Sequence, residues 1–336
     1  MVKKQEKSTL NKIKEKIAGI EEMTVIVPIL VLMIVMVVIG RADFCGISNI
    51  RALFVQIPYY AIPAMGMMLI VMTGNSDVSI GKIGGLGATI MAYLLCDCGV
   101  HWAVALLVAL LIGLVCGIVN AYLVEVQKVP PFVATLGMWF VAGGVRYLVI
   151  KGYQFVLSDL NDNWLNTKFI PFFKQTPKAM PFQFWCMLIL LVIMQIFIKK
   201  TRTGRQWLAC GDNPEVAALA GINVKKVKMM AYIIAPLFSV LSAAIYMYDS
   251  GIGNPEIGNN WEFKTVAGCV IGGCSMVGGK CSPLGVVLGI AFIYMAENAI
   301  IFAGAPSTLR VSIQGILMLF ALVYDSYVQS RKVKPE

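Results

Sequence analysis

The sequence predicts an all-α, polytopic membrane protein, and three observations support that prediction. Of the 336 residues, 58% are hydrophobic and only 14% are charged, with a mean hydropathy of +0.77. A soluble domain carries about 25% charged residues. Apolar stretches near the ~20 residues needed to cross a bilayer recur along the whole chain. The chain is therefore expected to lie in a membrane over most of its length rather than to hang from a single anchor.

Ten apolar segments are expected to cross the membrane, which leaves no room for a folded domain outside it. Five segments fall in each half of the chain, so the halves would have opposite orientations, which suggests an inverted repeat of five plus five. Each half also holds a glycine-interrupted segment, where helices can approach closely or break. The expected segments are 24–40, 54–73, 78–96, 102–124, 131–150, 182–198, 227–248, 264–279, 283–303 and 308–325.

The net charge of +10 is concentrated at the two ends of the chain and in one internal loop. Excess lysine and arginine marks cytoplasmic segments of membrane proteins, so all three regions are expected in the cytoplasm and no nucleic-acid partner is needed. Ten crossings also return the C-terminus to the side of the N-terminus. The expected parts are a basic amphipathic segment at 1–22, a transmembrane domain at 23–326 with a cytoplasmic loop at 199–226, and a basic cytoplasmic tail at 327–336.

The internal loop carries start and stop signals for one short helix. Asn213 can cap it, Pro214 suits its first position, and Glu215 favours the positive end of the helix dipole. Gly221 can close it. A connector between two membrane spans needs only polarity, so a capped helix of two turns indicates a structure that a partner holds on the cytoplasmic side.

Two candidate sites of other kinds are weak. Cys96, Cys98 and His101 could bind a metal, but Cys-x-Cys is not the usual zinc spacing and the chain has only one histidine, so packing at a helix end is favoured. The stretch 273–281 resembles a phosphate-binding loop, but the first glycine of that pattern would fall on Cys274. We therefore expect neither a metal site nor an ATPase site in this chain.

A polar cluster lies between the second and third expected segments, where Asn75, Asp77 and Ser79 interrupt apolar sequence. One interpretation is a plain helix boundary, with Asp77 or Ser79 as the N-cap. The other is a break within the membrane that lines a transport route. The two interpretations are compatible, and both stay open at this point.

Further polar residues lie deep in apolar segments, where a charged side chain costs on the order of 2.5–3.5 kcal/mol on insertion scales. Glu297 is a candidate for function, although pairing with a basic residue such as Arg310, or a hydrogen bond between helices, would also explain it. Two prolines mark the start of the fifth segment, where Thr135 and Gly137 would let another helix come close. The other buried polar residues are Asn120, Arg146, Asn298 and Gln314.

Four ordered elements give the chain a resemblance to the permeases of ribose-type ABC sugar importers. This branched-chain amino acid/ribose-type permease family includes the xylose, galactose, rhamnose and autoinducer-2 permeases. Its GGIDLSVG element is similar to residues 74–81, and its PPFIATLG element to residues 130–137. Its TGR…GGN…AA…GI element resembles 203–222, and its E…IAA…GG…GG element resembles 262–279. The resemblance runs from about residue 66 to residue 325.

The chain departs from the family pattern at four positions. Asn75 and Ser76 stand where the family usually has glycine and isoleucine, Lys82 replaces a serine, and Asp212 replaces a common glycine. The variants around Asn75 and Asp212 resemble the autoinducer-2 and related permeases slightly more than the ribose permeases. The departures affect the expected substrate and leave the expected class unchanged.

The resemblance implies an importer of four parts in a bacterial cell membrane. Two permease subunits form the pathway, two cytoplasmic ATPase domains drive it, and an extracytoplasmic protein binds the sugar and delivers it. The chain itself would have no ATPase site, no cofactor and no metal. The short loop helix would be the coupling helix, seated in an ATPase cleft. The resemblance and the loop together predict that the coupling residues are Gly204, Arg205, Gly211, Asp212, Asn213, Pro214, Glu215, Ala217, Ala218 and Gly221, and that the pathway residues are Asn75, Asp77, Ser79, Thr135, Glu297 and Asn298.

Two rival classes have less support. An ion-coupled secondary transporter could use Asp77 or Glu297, but it would not explain the capped loop helix. An intramembrane enzyme would need a constellation of histidine, cysteine or aspartate around a cavity, and the sequence offers no convincing set. Which sugar is carried, and whether the permease pair consists of identical or related chains, stay open at the level of sequence.

Overall fold

The computed structural model describes residues 22–150, 154–157, 180–306 and 309–332. This part of the chain is mostly helical, which confirms the all-α prediction. The expected amphipathic segment at 1–22 lies almost wholly outside the described residues, as do most of the connection 151–181 and the last four residues of the tail. The elements are α1 (Met23–Val38), a 3-10 turn (Ala42–Cys45), α2 (Ile47–Val71), α3 (Ile80–Cys96), α4 (Trp102–Glu125), α5 (Pro131–Ile150), β1 (Phe155–Val156), α6 (Phe182–Lys200), α7 (Arg202–Asp212), α8 (Pro214–Leu219), α9 (Val224–Ser250), β2 (Ile252–Gly253), α10 (Trp261–Ile271), α11 (Pro283–Phe302) and α12 (Leu309–Lys332).

Each expected membrane segment falls on a helix, but the count of ten crossings is not confirmed. Within the described residues, six helices are long and apolar enough to cross a bilayer, namely α2, α4, α5, α6, α9 and α11. Helices α1 and α3 are apolar but shorter. Helix α10 has 11 residues, which span about 16 Å, roughly half of a hydrocarbon core of ~30 Å. The segment expected at 264–279 is therefore not a full-length helix.

Helix α2 lies at the centre of the fold. Every residue from Ala61 to Thr73 is buried, as expected for a helix that is apolar on all sides. Helix α9 packs along α2 and also against α3 and α4. The hydroxyl of Ser242 in α9 donates to the Tyr59 carbonyl of α2 at 2.8 Å, and Ser239 donates to the Ile80 carbonyl of α3 at 2.6 Å. Such hydrogen bonds between helices help to fix the packing inside a bilayer, where apolar burial drives little association.

Between α9 and α10 the chain runs inward along α3 without forming a helix. Strand β2 pairs antiparallel with β1, and Gly253 packs on Ala92 near the C-terminal end of α3. A few residues later, Gly258 packs on Gly81 in the first turn of α3. The two contacts are about three helical turns apart, or roughly 16 Å. Helix α10 therefore begins deep inside the protein and continues a segment whose first half is non-helical.

Glycine is required where this non-helical segment meets α3. A Cβ atom on Gly81 would collide with the carbonyl oxygen of Gly258, and a Cβ atom on Gly258 would collide with the carbonyl oxygen of Gly81. Gly258 also has a φ of +81°, in the left-handed region that favours glycine. The glycines predicted to interrupt the third segment thus allow backbone from the second half of the chain to pack directly against α3.

Candidate functional site

The loop at 199–226 contains two helices, α7 and α8, where the sequence predicted one. Helix α7 is anchored by Trp207, which is 2% exposed and whose Nε1 donates to the Leu69 carbonyl of α2 at 3.1 Å. Thr201 caps its start by accepting a hydrogen bond from the Gly204 amide at 3.0 Å. Gly204 is buried against the end of α6, and Arg205 is exposed. The loop is therefore fastened to the central helix of the fold.

Helix α8 is the helix that the capping signals predict, and its observed span of 214–219 confirms them. The Asn213 Oδ1 atom accepts from the amides of Glu215 at 3.0 Å and Val216 at 3.1 Å. Pro214 occupies the first position, and Glu215 lies in the first turn. Gly221 has a φ of +79°, and its amide and the next one return to carbonyls of the helix in a Schellman arrangement.

The exposed face of α8 is apolar. Val216 is 58% exposed and Leu219 is 89% exposed, and Ala218 is exposed beside them. Ala217 is one of the predicted coupling residues, but it is 3% exposed and faces the chain's own helices, since α8 contacts α7 and α9. Val216, Ala218 and Leu219 thus form one exposed apolar patch on this helix.

A junction of backbone segments joins α8 to the membrane helices. We define it by Met72 at the end of α2, Gly211 and Asp212 at the end of α7, and Gly278 and Gly279 between α10 and α11. The Gly279 amide donates to the Met72 carbonyl at 3.1 Å. A Cβ atom on Gly211 would collide with both of these backbone groups, and one on Gly279 would lie 2.7 Å from the Asp212 Cα atom. Three parts of the chain therefore touch through their backbones immediately before α8 begins.

The polar break before α3 ties together three helices. Asp77 is fully buried, and its Oδ1 atom accepts from the Ser79 amide at 2.7 Å and the Ser79 hydroxyl at 2.5 Å. Asn120 of α4 donates to the Ser79 hydroxyl at 2.9 Å, and Thr135 of α5 accepts from a backbone amide of the break at 3.2 Å. Among the described residues, the Asp77 Oδ2 and Asn75 Nδ2 atoms have no hydrogen-bond partner. Asp77 thus closes a local turn on Ser79, whereas no side chain caps the start of α3, so the predicted N-cap role of Asp77 or Ser79 is not observed.

A second polar centre holds the non-helical segment before α10. Arg146 of α5 is fully buried, and its guanidinium donates to the Ile257 carbonyl at 2.7 Å and to Asn259 Oδ1 at 2.6 Å. Lys82 of α3 donates to the same Asn259 oxygen at 2.5 Å. The backbone of this segment lacks helical hydrogen bonds, so side-chain donors from neighbouring helices replace them.

Aromatic rings and charges continue from this centre across α10. The Lys82 ammonium lies 4.4 Å from the centroid of the Trp139 ring, and the Trp139 indole donates to Glu262 at 2.8 Å. Two residues further along α10, Lys264 pairs with Glu297 at 2.7 Å and lies 4.3 Å from the Tyr60 ring centroid. Glu297 therefore has a basic partner, as the structural interpretation predicts, but that partner is Lys264.

The predicted pathway residues fall in separate places. Asn75, Asp77, Ser79 and Thr135 meet at the break before α3, Glu297 lies beside α10, and Asn298 donates to Asn49 of α2 at 2.6 Å. The predicted coupling residues share one region formed by α7, α8 and the junction. Sequence reasoning missed the anchor Trp207 and the partners Trp139, Lys264 and Asn259. A tryptophan between charged residues in a short loop was the available signal for the first of these.

The cysteines near the end of α3 have structural contacts. Cys96 Sγ lies 3.8 Å from the Val156 carbonyl oxygen of β1, and His101 caps α4 by accepting from the Ala103 amide at 3.3 Å. Among the described residues, no group of three or more histidine, cysteine, aspartate or glutamate side chains is placed to hold a metal ion. These contacts agree with packing at a helix end.

Apolar helices of membrane length and a segment broken by non-helical backbone are together typical of a multi-pass membrane transport protein. The chain belongs to the family described as the permease component of the branched-chain amino acid transport system, which matches residues 49–322.

Several curated relatives are similar over most of their length. The chain is 30% identical over 296 residues to the ribose import permease protein RbsC of Bacillus subtilis, covering 88% of this chain and 90% of that protein. It is 28% identical over 312 residues to the autoinducer 2 import system permease protein LsrC of Photorhabdus luminescens, covering 90% and 89%. It is 32% identical over 275 residues to the probable ABC transporter permease protein y4mJ of Sinorhizobium fredii, covering 81% and 79%. No solved structure shows a significant match to the chain.

Proposed function

We propose that the chain is the membrane subunit of a binding-protein-dependent ABC importer that carries a sugar or a sugar-like molecule into the cytoplasm. The observation that carries the proposal is α8, a capped helix whose exposed face is apolar and whose base contacts the end of the central helix α2 through the junction. Relatives named for ribose and autoinducer 2 import support the substrate class. ATP would be hydrolysed by a partner subunit, and the chain itself needs neither a cofactor nor a metal.

The junction suggests how force from an ATPase reaches the membrane. When the ATPase pair closes on ATP, α8 moves with the cleft that holds it. Gly211 and Asp212 pass this movement to Met72 of α2 and to Gly279, because their backbones are already in contact. Met72 directly precedes the polar break before α3, and Gly279 follows α10. One displacement of α8 would therefore act directly on the polar break before α3, and on the stretch 254–260 through α10.

The placement of these segments supports an inverted repeat of five plus five within ten crossings. In each half, a non-helical stretch is followed by a short glycine-containing helix, residues 72–79 before α3 and residues 254–260 before α10. In this topology the junction, α8 and both termini face the cytoplasm, and the β1–β2 pair faces outward, where the sugar-binding protein would dock. A second permease subunit, identical or related, would complete the pathway in the bacterial cell membrane.

The sugar route would use hydroxyl-bonding groups and aromatic rings more than net charge, because sugars are neutral. The polar break contributes Asp77, Ser79 and Thr135, and the side chains around α10 contribute rings such as Tyr60 and Trp139. Most of the charged side chains in this region already have partners of opposite charge or hydrogen bonds.

The decisive experiment targets the exposed face of α8. Leu219→Glu replaces a side chain that is 89% exposed, so the free permease should lose no more than ~0.5 kcal/mol of stability. At a docked interface the buried charge would be expensive, and we expect the ATPase that co-purifies in detergent to fall by about tenfold, equivalent to about 1.4 kcal/mol. Leu219→Met is the matched control, since it keeps an apolar side chain of similar volume.

Normal ATPase recovery with Leu219→Glu would contradict the assignment of α8. The transport class is tested separately by uptake in cells, with the sugar identified by mass spectrometry on the cognate binding protein. Uptake that persists without the ATPase and collapses with a protonophore would favour the ion-coupled alternative.

A further inference from the structure

The loop between α10 and α11 contains a cysteine pair that the transport function does not use. Cys274 and Cys281 are bonded through their sulfur atoms, with Cα atoms 4.2 Å apart. The turn between them is closed by the Ser275 amide, which donates to the Lys280 carbonyl at 3.1 Å, and by the Gly278 amide, which donates to the Ser275 carbonyl at 3.0 Å. The pair therefore closes the ends of a tight loop, which we call the cysteine loop (residues 274–281).

The cysteine loop forms one side of the junction beneath α8. A Cβ atom on Gly278 would lie 2.8 Å from the Gly211 carbonyl oxygen, and the Gly279 amide donates to the Met72 carbonyl at 3.1 Å. The loop holds these two glycines at φ values of +104° and +78°. The conformation of the cysteine loop therefore affects the position of the end of α7 and of the start of α8.

The cellular compartment determines whether the Cys274–Cys281 bond is stable or reversible. The assignment of the cysteine loop to the cytoplasm rests on the proposed function. If α8 docks on an ATPase, the cysteine loop faces the cytoplasm, where glutathione and thioredoxin keep most thiols reduced and disulfides are usually transient, catalytic or redox-sensing. A bond at this position then represents one of two states of the protein.

We propose that Cys274 and Cys281 form a reversible thiol–disulfide site on the cytoplasmic face, and that its oxidation state sets how firmly the junction holds α8. The oxidant is a low-molecular-weight disulfide such as oxidised glutathione. The bonded state fixes the cysteine loop against the end of α7. The reduced state lets the loop open more easily, because no covalent bond then joins its two ends.

The chemistry balances as an ordinary exchange reaction. Cys281 is half-buried and Cys274 is 1% exposed, so the thiolate of Cys281 attacks the small disulfide first and releases one small thiol. The thiolate of Cys274 then attacks the Cys281 sulfur of the mixed disulfide and releases the second small thiol. Two protein thiols thus lose two electrons and two protons, and one small disulfide becomes two small thiols.

Other cysteines nearby are poorly suited to this reaction or provide controls. Cys210 lies in α7 next to the junction, but it is fully buried, and burial raises the pKa of its thiol. It is therefore a poor nucleophile. Cys98 is an exposed free thiol just beyond α3, at the opposite end of that helix from the polar break. Labelling of Cys98 therefore serves as the control for the opposite face of the membrane.

The first experiment measures the state of the pair in cells. Acid-quenched membranes are denatured and labelled with a maleimide–polyethylene glycol, and the gel shift is compared with that of the double variant Cys274→Ser/Cys281→Ser. We expect two additional free thiols in wild type during ordinary growth, their loss after diamide, and their return after dithiothreitol. A pair that is oxidised under every condition, or that diamide leaves reduced, overturns the proposal.

Sidedness is measured in the same preparations with an impermeant maleimide. In the Cys274→Ser variant, Cys281 should react in inside-out vesicles and Cys98 in right-side-out vesicles. Labelling of Cys281 from the outer face overturns the proposal and shows an extracytoplasmic structural disulfide.

The second experiment measures the consequence for coupling. The complete transporter, with its ATPase and binding protein, is reconstituted in liposomes with reduced or oxidised glutathione on the ATPase side. We expect ATP hydrolysis per complex to change by about fivefold or more in wild type, at the lower end of typical allosteric coupling. Cys281→Ser and Cys274→Ala should both be insensitive and match reduced wild type.

Wild type that hydrolyses ATP equally in both buffers overturns the proposed effect on coupling. The proposed transport function is judged by a different reading, which is ATP-dependent uptake by reduced wild type. A redox-insensitive transporter with normal ATP-dependent uptake refutes only the thiol site, whereas failed uptake in the reduced buffer refutes the importer assignment.

Discussion

The substitution Gly211→Ala tests whether the junction transmits movement between α8 and the membrane helices. A Cβ atom at this position would collide with the Met72 carbonyl oxygen and the Gly279 amide nitrogen, and it would lie 2.9 Å from the Met72 carbonyl carbon. All of these neighbours are backbone atoms, so no side chain can rotate away. The end of α7 must move away from α2 or from the cysteine loop.

The expected magnitude follows from two opposing effects. Alanine is favoured over glycine in a helix by about 1 kcal/mol. Overpacking usually costs about 1–3 kcal/mol, and more where the backbone must shift. The permease should therefore insert and fold with a modest loss of stability, while α8 is displaced at its base. We expect uptake to fall by about tenfold or more at near-normal membrane abundance, because a 1.4 kcal/mol change in seating is a factor of ten.

The assay compares three quantities for each variant, namely permease abundance in membranes, ATPase recovered in detergent, and uptake of the sugar identified on the binding protein. Gly315→Ala in α12 is the matched control, since a Cβ atom there meets nothing within 4 Å. Normal uptake with Gly211→Ala would refute the view that backbone contact at the junction carries the coupling. Loss of the permease from membranes would show that the contact is needed for folding, and Gly278→Ala would then test the other side of the junction.

Three further outcomes are expected. Arg146→Met should lower the free energy of unfolding of the permease in detergent by about 1–3 kcal/mol, because the buried carbonyl of Ile257 loses its donor. Arg146→Lys should not fully restore it, since lysine cannot bridge two acceptors in a fork. An unchanged melting temperature for both variants would contradict this. Asp77→Ala should reduce uptake more than abundance, whereas Asp77→Asn should keep the hydrogen bonds from Ser79 and most of the abundance, as quantified by blotting and transport. Full uptake with alanine would show that Asp77 is dispensable for transport. The purified chain alone should hydrolyse no ATP, and turnover that survives removal of contaminating ATPases would contradict the reliance on a partner subunit.

The sequence predicted α8 well because its signals are local. Asn213, Pro214 and Gly221 act within one or two turns of the helix, so their effects do not depend on distant parts of the fold. Helix α7 was missed because Gly204 and Gly211 are poor helix formers. Both glycines are present for tertiary reasons, since each is pressed against backbone from another part of the chain. Propensity cannot show contacts of this kind.

The sequence also could not predict which face of the short helix α8 is buried. Ala217 and Ala218 are the same residue type in the middle of α8, yet one is buried and the other exposed. Six residues provide too little periodicity to orient a helix. The broken segment before α10 was also hidden, because the polar sequence of residues 254–260 is that of an ordinary loop between two spans. Arg146 was noticed as a buried charge, but its partners Ile257 and Asn259 are more than a hundred positions away in the chain.

The non-helical stretch 254–260 has a consequence for the order in which the protein is made. A full apolar helix can enter the bilayer alone, because its backbone groups satisfy one another. This stretch cannot, since the Ile257 carbonyl depends on Arg146 and its glycine needs the groove at Gly81. Helix α10, at 11 residues, is too short to compensate. The stretch 254–260 can therefore take its place in the membrane only after α3 and α5 have been inserted. The first half of the chain thus acts as a template for the membrane insertion of the second half.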